Sequence, residues 1–403
     1  MSEWKEYKLG EIYEVHNGLS KGREFFGSGY PFISFSTVFN KWFVPEKITD
    51  LAQTTESEQE NYSIKAGDIL VTRTSETADE LGMSCVALKD VPHATYNGFC
   101  KRMRQYNPDI KVYPKYVGYY MRNPEFRKNF QTFAGSMSTR ASLTNDALLG
   151  LTIALPPLEE QKRIAGILSS LDDKIELNNK INDNLEKQAQ ALFKNWFIDY
   201  APFGGVMPED WQETTLGDVC LKVTDGSHFS PQDDSSAPYP MYSVKDMETY
   251  GFNPNNCKHI SAEDFEKMKA GDCVPKLDDV LVAKDGSYLK EIFICSEERE
   301  EAILSSIAIF RPNTKKILPE ILLFLLKQPS VRKDVGDNFV SGSALPRIVL
   351  KDFKKYQFVL PSIESQQELA KMLNSIRMQI HNNVEETQRL TTLRDTLLPK
   401  LMC

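Results

Sequence analysis

The residues most typical of catalysis in this sequence are two adjacent carboxylates with a lysine nearby, because such a set can hold Mg²⁺ in a nuclease. Asp278, Asp279 and Lys284 form this set. Residues 67–73 resemble residues 278–284, but they have Gly67 and Arg73 in place of Asp278 and Lys284. The set is therefore not repeated. We interpret the aspartate as the start of a β-strand and the basic residue as lying just beyond the strand's end, and we do not expect catalysis by this chain.

Other motifs of chemically active proteins are missing from the sequence. It contains no Gly-x-x-x-x-Gly-Lys-Ser/Thr phosphate loop, no glycine-rich cofactor loop between a strand and a helix, and no Asn/Asp-Pro-Pro-Tyr/Phe segment of an amino-methyltransferase. The seven cysteines include no Cys-x-x-Cys pair, and the five histidines lack the spacing of metal ligands. We expect the chain to bind no metal and no cofactor of its own.

Basic, hydroxyl and glycine residues cluster instead in predicted loops, where they could contact phosphates and base edges of nucleic acid. The segment 101–130 holds eight basic and two acidic residues, a local charge of +6. Candidate contacts in the first half of the chain are Lys21, Arg23, Thr72, Arg73, Thr74, Ser75, Lys101, Arg102, Arg104, Ser136, Ser138, Thr139 and Arg140. Those in the second half are Thr224, Asp225, Gly226, Ser227, His228, Lys284, Gly286, Ser287, Tyr288, Ser341, Ser343 and Arg347. Each loop alone is equally well explained as a solvated turn, but their recurrence in both halves favours a binding face.

An internal repeat must position these loops. Six segments recur in the same order, with offsets between 205 and 211 residues. The pairs are 4–12 with 211–219, 30–34 with 239–243, 67–71 with 278–282, 114–127 with 319–332, 135–140 with 342–347, and 155–161 with 360–366. Chance does not keep six matches in register, so we infer a duplicated chain.

Each half begins with a mixture of strand and helix signals. Ile69–Thr72 and Val280–Ala283 are apolar, β-prone and bounded by turn residues, which predicts short strands. Tyr116–Met121 and Ile321–Leu326 lie between prolines, which suits short buried helices. We predict an α+β protein with two similar mixed domains in a pseudo-two-fold arrangement, joined by two long helices. The predicted bounds are 1–157 and 201–361 for the domains, and 158–200 and 362–403 for the helices.

The two long helices carry apolar residues at alternating steps of four and three, the spacing of a coiled-coil seam. The seam residues are Ile164, Leu168, Leu171, Ile175, Asn178, Leu185 and Leu192, then Leu369, Leu373, Ile376, Ile380, Asn383, Leu390 and Leu397. Asn178 and Asn383 interrupt both seams at the same place, which fixes register at a cost in stability. Two matched seams in one chain favour an antiparallel coiled coil within the chain over a helical bundle or a dimerisation coil between two chains. Ile167, Leu177 and Ile181 widen its apolar stripe, which could receive helices from another protein.

Composition limits the class of protein. The chain has 403 residues, 41% hydrophobic and 26% charged, as is usual for soluble globular proteins. The longest apolar run, Ile321–Leu326, is too short to cross a bilayer, and the first residues lack the apolar core of a signal peptide. An odd number of cysteines without paired spacing fits a reducing compartment, so we expect a cytoplasmic protein without membrane contact. The net charge of −8 argues against a free-standing nucleic-acid binder, unless local basic faces or partner subunits supply the phosphate contacts.

Taken together, the sequence resembles the specificity subunit of type I restriction-modification enzymes over essentially its whole length. The resemblance rests on the twin Leu-Pro-x-hydrophobic-Glu-x-Gln segments at 155–161 and 360–366 and the twin Trp-x-x-x-x-Leu-Gly-Asp/Glu domain starts. It rests also on the Gly-Asp-Ile-Leu-Val strand and the loop 224–228. The first domain departs from the pattern, since Val15–Leu19 lacks the Asp-Gly-Ser-His form of that loop.

The resemblance implies a non-catalytic subunit in which each domain reads one half of a bipartite site in double-stranded DNA. It also implies that the helices set the length of the unread gap and dock two modification subunits, and that restriction subunits complete the complex. S-adenosylmethionine, ATP and Mg²⁺ would be bound by those partners. Two other interpretations stay open at this point: a coiled-coil adaptor or inhibitor that acts on proteins without reading DNA, and a self-contained nuclease with a divergent metal site.

Overall fold

The computed structural model describes residues 4–75, 80–134 and 141–402. It divides into two compact units. Unit 1 comprises residues 1–176 and 387–403, and unit 2 comprises residues 177–386. Both ends of the chain therefore belong to unit 1.

Unit 1 contains short strands, short helices and parts of two long helices. Its strands are β1 Lys5–Lys8, β2 Tyr13–Asn17, β3 Phe26–Ile33, β4 Leu51–Ala52, β5 Ile69–Thr72, β6 Thr74–Ser75, β7 Ser84–Val86, β8 Thr95–Tyr96, β9 Cys100–Gln105, β10 Ala141–Ser142 and β11 Thr152–Leu155. Its short helices are α1 Leu9–Ile12, α2 Phe35–Asn40, α3 Glu56–Asn61, α4 Pro114–Arg122, α5 Pro124–Ala134 and α6 Asn145–Leu149. The first long helix, α7, spans Leu158–Phe197 and continues into unit 2.

Unit 2 is built from the same kinds of element. Its strands are β12 Gln212–Thr215, β13 Cys220–Asp225, β14 Tyr239–Tyr242, β15 Met247–Glu248, β16 Gly251–Phe252, β17 Lys258–Ile260, β18 Val280–Ala283, β19 Ile292–Ile294, β20 Ala302–Ile303, β21 Ile307–Pro312, β22 Val340–Ser341, β23 Arg347–Ile348 and β24 Gln357–Leu360. Its short helices are α8 Leu216–Val219, α9 Ala262–Ala270, α10 Pro319–Leu326, α11 Pro329–Asn338 and α12 Leu350–Phe353. The second long helix, α13, spans Ile363–Leu401 and ends in unit 1.

The two larger sheets of each unit have the same topology. A four-stranded antiparallel sheet has the order β2-β9-β5-β7 in unit 1 and β13-β21-β18-β19 in unit 2. A three-stranded sheet contains one parallel pair in each unit, β3 with β8 and β14 with β20. The duplication and the α+β class predicted from the sequence are confirmed.

The central strand of each main sheet is buried on both faces because its side chains alternate between two cores. In β5, Ile69 and Val71 join one hydrophobic cluster and Leu70 joins another. In β18, Val280 and Val282 point to one core, and Leu281 points to a second. This alternation follows from the two-residue period of a strand, and it explains why both segments are continuous apolar runs.

A buried glutamine fixes the start of each long helix. The Gln161 side chain accepts a hydrogen bond from Tyr113 N at 2.8 Å and donates to the carbonyl oxygens of Lys111 and Pro156, both at 2.9 Å. In unit 2, Gln366 makes the corresponding three bonds, to Leu318 N, Lys316 O and Pro361 O. The glutamine of the repeated Leu-Pro motif therefore ties each long helix to the loop before α4 or α10.

The long helices are continuous, and they complete the cores of the units. In unit 1, Ile164 and Leu168 of α7 and Leu398 of α13 are buried in the main core. In unit 2, Ala189 and Phe193 of α7 lie in the same core as Leu369 and Leu373 of α13. Every predicted seam position is buried or half-buried.

Polar seam residues pair the two helices within unit 2. Asn383 Nδ2 donates to Asn182 Oδ1 at 2.8 Å, and Asn178 Nδ2 donates to Glu386 Oε2 at 2.8 Å. The later residue of α7, Asn182, pairs with the earlier residue of α13, Asn383. The paired segments therefore run antiparallel. The polar interruptions meet, as the seam pattern predicts.

Candidate nucleic-acid interface

Three chain segments meet at one end of the main sheet in unit 1. The turn after β2 is held by hydrogen bonds from Gly18 N to Cys100 O, 3.0 Å, and from Leu19 N to Tyr96 O, 2.9 Å. Arg73 N, just beyond β5, donates to Phe99 O at 2.9 Å. The β8–β9 turn therefore ties together the early loop and the end of the central strand.

The antiparallel pairing of β6 with β10 joins the same end of the sheet. Ser142 pairs with Thr74, and Leu143 N donates to Arg73 O at 2.8 Å. Thr74 and Ser75, predicted as loop residues, form a short strand in this pairing. Four predicted contacts, Ser136, Ser138, Thr139 and Arg140, lie outside the described residues.

Unit 2 builds the corresponding end in the same way. Gly226 N donates to Ile307 O at 3.1 Å, and Lys284 N, just beyond β18, donates to Ser306 O at 3.0 Å. The loop after β18 also joins the β22–β23 hairpin, because Gly286 N donates to Pro346 O at 2.7 Å. The three loops predicted from the second half of the chain are therefore brought together.

A glycine is required where each early loop leaves its strand. A Cβ atom at Gly18 would lie 2.0 Å from Asn97 O, and one at Gly226 would lie 2.3 Å from Ile303 O. Both distances are far below van der Waals contact. In the repeated Asn/Asp-Gly dipeptide, the glycine therefore allows the backbone of the early loop to pass close to a neighbouring backbone, which a residue with a Cβ atom could not do.

Two cations share one amide oxygen in unit 1. Lys101 Nζ donates to Asn17 Oδ1 at 3.2 Å, Arg73 Nη1 approaches the same oxygen at 3.5 Å, and Lys101 also bonds Asn145 Oδ1. Burial, together with the nearby Arg73 charge, lowers the pKa of Lys101. The site therefore concentrates positive charge on neutral amides.

In unit 2 a carboxylate takes the place of the amide. Lys284 Nζ lies 2.6 Å from Asp225 Oδ2, and His228 Nε2 lies 3.4 Å from the same oxygen. The lysine is buried, so it requires a counter-charge. The exposed His228 ring completes the cluster.

Several predicted contacts on these loops reach solvent. Arg23 is exposed in unit 1, and Thr74 is half-buried. In unit 2 the residues open to solvent are His228, Ser287, Ser341, Ser343 and Arg347, with Thr224, Ser227, Gly286 and Tyr288 half-buried. Their contact with DNA stays a prediction.

Four other predicted contacts make their hydrogen bonds inside unit 1. Thr72 Oγ1 donates to Glu80 O and accepts from Met83 N. Arg102 donates to Ser63 O at 2.7 Å, and Lys21 is paired with Glu58 at 2.7 Å. Arg104 is paired with the buried Asp68 at 2.6 Å.

The Arg104 pair is duplicated and lies at the other end of the strand from the loop cluster. In unit 2, Arg311 binds the buried Asp279 through two bonds of 2.8 Å. Asp68 and Asp279 also accept backbone N–H bonds from Lys65 and Lys276. The aspartate that precedes each central strand therefore has a structural role, in accordance with the sequence interpretation.

Two exposed phenylalanines were missed by the sequence analysis. Phe99 is 57% exposed on the β8–β9 turn beside Arg73, and Phe229 is 56% exposed immediately after His228. Residue type alone could not identify them, because most phenylalanines are buried and the sequence does not show which ones are exposed. Aromatic rings at such loop tips can contact thymine methyl groups or unstacked bases.

The described residues contain neither a metal-binding cluster nor a helix suited to span a membrane. Among residues 4–75, 80–134 and 141–402, no cluster of three or more histidine, cysteine or acidic side chains is arranged to hold a metal ion. Within the same ranges no helix combines the length and the apolar character needed to cross a bilayer.

Comparison with known proteins identifies the repeated architecture. The family model "Type I restriction modification DNA specificity domain" matches residues 1–187 and again 208–392. The HindI specificity subunit of Haemophilus influenzae is 25% identical over 468 aligned residues, covering 100% of this chain and 99% of that protein. The MjaIX specificity subunit of Methanocaldococcus jannaschii is 28% identical, covering 99% and 93%. The crystal structure of an S subunit from M. genitalium shares the fold, with a TM-score of 0.57, 16% identity, and coverage of 100% of this chain and 96% of that one.

Proposed function

Since the chain belongs to the family of type I restriction-modification DNA specificity domains, we propose that each of its two units reads one half of a bipartite target in double-stranded DNA. The two family matches, one in each half of the chain, carry this proposal. The early loop, the end of the central strand and a short strand pair, β6 with β10 or β22 with β23, cluster at one end of each main sheet, which supports it. As a specificity subunit the chain is a non-catalytic recognition component.

The loops suit base and phosphate contact for electrostatic and steric reasons. Arg73, Arg347 and His228 supply donors to phosphate oxygens and guanine edges, and Phe99 and Phe229 offer exposed rings. Because the chain is acidic overall, with a net charge of −8, we infer that partner subunits share the phosphate contacts.

The long helices are proposed to set the unread gap between the half-sites. A helix of 40 residues is about 60 Å long, which is rigid on the scale of a DNA turn of about 34 Å. Joining two weak readers through such a spacer makes the second contact intramolecular and raises its effective concentration.

The partners are proposed to be two modification subunits, joined by restriction subunits. Leu177 and Ile181 of α7 are exposed on the helix surface, where apolar side chains can receive another protein's helix. We infer that S-adenosylmethionine, ATP and Mg²⁺ are bound by these partners, and that the complex works in the cytoplasm.

A domain exchange tests the reading roles. Replacing residues 201–361 by the corresponding segment of a relative with another target should change one half-site of the methylated sequence and leave the other half-site and the gap unchanged. Changes in both half-sites would contradict the proposal.

The spacer role needs a separate test. Inserting one heptad into both α7 and α13 should widen the gap, whereas insertion into α7 alone should break the register of the seam and reduce binding. An unchanged gap after the paired insertion would contradict the spacer role. Protein binding by the helices with no sequence-specific DNA binding would favour the adaptor alternative.

A further inference from the structure

Asn17 and Asp225 occupy the same position in the two units. Each is the last residue of the edge strand of the main sheet, and each precedes the required glycine, Gly18 or Gly226. Asn17 lies opposite Lys101 in the strand pair, and Asp225 lies opposite Ala308. The two side chains therefore stand at the centre of corresponding loop clusters.

The hydrogen-bonding character of Asn17 is determined by its two cationic neighbours. Lysine and arginine side chains can only donate hydrogen bonds, so the Asn17 atom that faces Lys101 and Arg73 must be the oxygen. The amide NH₂ group is then directed away from them. In the part of the chain that the structure describes, no group accepts a hydrogen bond from Asn17 Nδ2, and the residue is exposed.

Asp225 has the opposite character. Its Oδ2 receives Lys284 Nζ at 2.6 Å, and His228 Nε2 lies 3.4 Å from that oxygen. A carboxylate has no proton to donate, so its second oxygen can only accept. Among the described residues none donates to Oδ1, and the side chain is 21% exposed.

We propose that Asn17 and Asp225 are corresponding base-reading residues of opposite hydrogen-bond polarity. Asn17 donates to an acceptor edge in the major groove, guanine O6/N7 or thymine O4. Asp225 accepts from an exocyclic amino group, cytosine N4 or adenine N6. The inference rests on the proposed reading of DNA by both units, and it assigns the chemical class of base that each unit recognises at this position.

The exchange of the two side-chain types tests this assignment. The full chain and its variants Asn17→Asp and Asp225→Asn, each assembled with modification subunits, would be selected on a duplex library with thirty randomised base pairs, and the bound DNA sequenced. For Asn17→Asp we expect one position of one half-site to change from guanine or thymine to cytosine or adenine, with enrichment altered roughly tenfold or more. For Asp225→Asn the reverse change should occur at one position of the other half-site.

Asn61→Asp is the matched control, because it adds the same charge at an exposed site of unit 1, at the end of α3 and outside the loop cluster. Its selected sequences should equal those of the parent chain. Thermal melting of each variant separates loss of folding from changed reading, and Asn17→Asp alone decides the question if Asp225→Asn unfolds. An unchanged preference, or an equal loss at every position, would overturn the assignment of Asn17. Absence of any enrichment by the parent chain would instead count against the proposed function itself.

Discussion

Arg394 donates to Asp172 at 2.8 Å, although the two residues are 222 positions apart in the chain. Asp172 also accepts a hydrogen bond from Tyr119 at 2.6 Å, and the Arg394 guanidinium lies 4.7 Å from the centre of the Trp42 ring. Burial and the bond to Asp172 both raise the pKa of Tyr119, so its hydroxyl remains a donor at neutral pH. The last turns of the chain are thus an integral part of unit 1.

Truncating the buried Leu398 should destabilise unit 1. Leu398 is 2% exposed in the main core of that unit. The substitution Leu398→Ala is expected to cost about 2 to 5 kcal/mol. Hydrogen exchange should show faster exchange in α4 and unchanged protection in α10 of unit 2. Leu393→Ala, at a site 46% exposed on the same helix, should change the free energy of unfolding by less than about 0.5 kcal/mol. Equal effects of the two substitutions would show that α13 does not complete this core.

The buried glutamines should matter as hydrogen-bonding groups rather than as volume. Gln161→Leu leaves Tyr113 N–H and the carbonyl oxygens of Lys111 and Pro156 without a partner. We expect a loss of about 3 kcal/mol or more in the free energy of unfolding measured in urea. Gln367→Leu, one position beyond the buried glutamine of unit 2 and exposed, should leave the unfolding midpoint within error. A midpoint unchanged in Gln161→Leu would refute this role.

A methyl group at Gly18 should displace the early loop of unit 1. The close carbonyl of Asn97 leaves no room for a Cβ atom, so Gly18→Ala is expected to lower stability and to weaken binding of the half-site read by unit 1. Gly166→Ala serves as the control, because a Cβ atom there meets nothing within 4 Å. In a helix interior that change should stabilise by up to about 1 kcal/mol. Normal DNA binding by Gly18→Ala would contradict the close approach.

Asp272 should contribute stability that disappears in acid. Burial by itself raises the pKa of Asp272. Hydrogen bonds from Lys222, Arg311 and Lys276 together outweigh this effect and bring the pKa well below its usual range. The folded pKa lies below the unfolded value of about 3.9, so the contribution is present above that pH and falls as the pH drops towards the folded pKa.

The substitution Asp272→Asn should therefore lower the denaturation midpoint at pH 7, and the difference from the parent chain should shrink below about pH 4. Asparagine tolerates the positive φ of 55° at this residue, so the change removes the charge and one acceptor oxygen without straining the backbone. Asp337→Asn, at an exposed site on α11, should show no such dependence. A difference that is constant with pH would mean that the charge of Asp272 is not responsible.

The spacing of apolar residues was sufficient to predict the strands Ile69–Thr72 and Val280–Ala283 and the two long helices. Comparison of the two halves was sufficient to predict the repeat. Each of these depends on the spacing of apolar residues within a few turns or on the comparison of one half of the chain with the other. Periodicity of this kind is present in the sequence itself. The predicted helices Tyr116–Met121 and Ile321–Leu326 likewise lie within α4 and α10.

Only the tertiary structure decided which polar groups face solvent. Thr72, Arg102 and Arg104 satisfied the composition of a binding loop, but each is engaged by partners on other strands and loops. The polarity of Asn17 depends on Lys101 and Arg73, 84 and 56 residues away, and the core of unit 1 depends on the far end of the chain. Such contacts join residues distant in sequence, and a side chain's hydrogen-bond partners are determined by packing, so no local pattern records them.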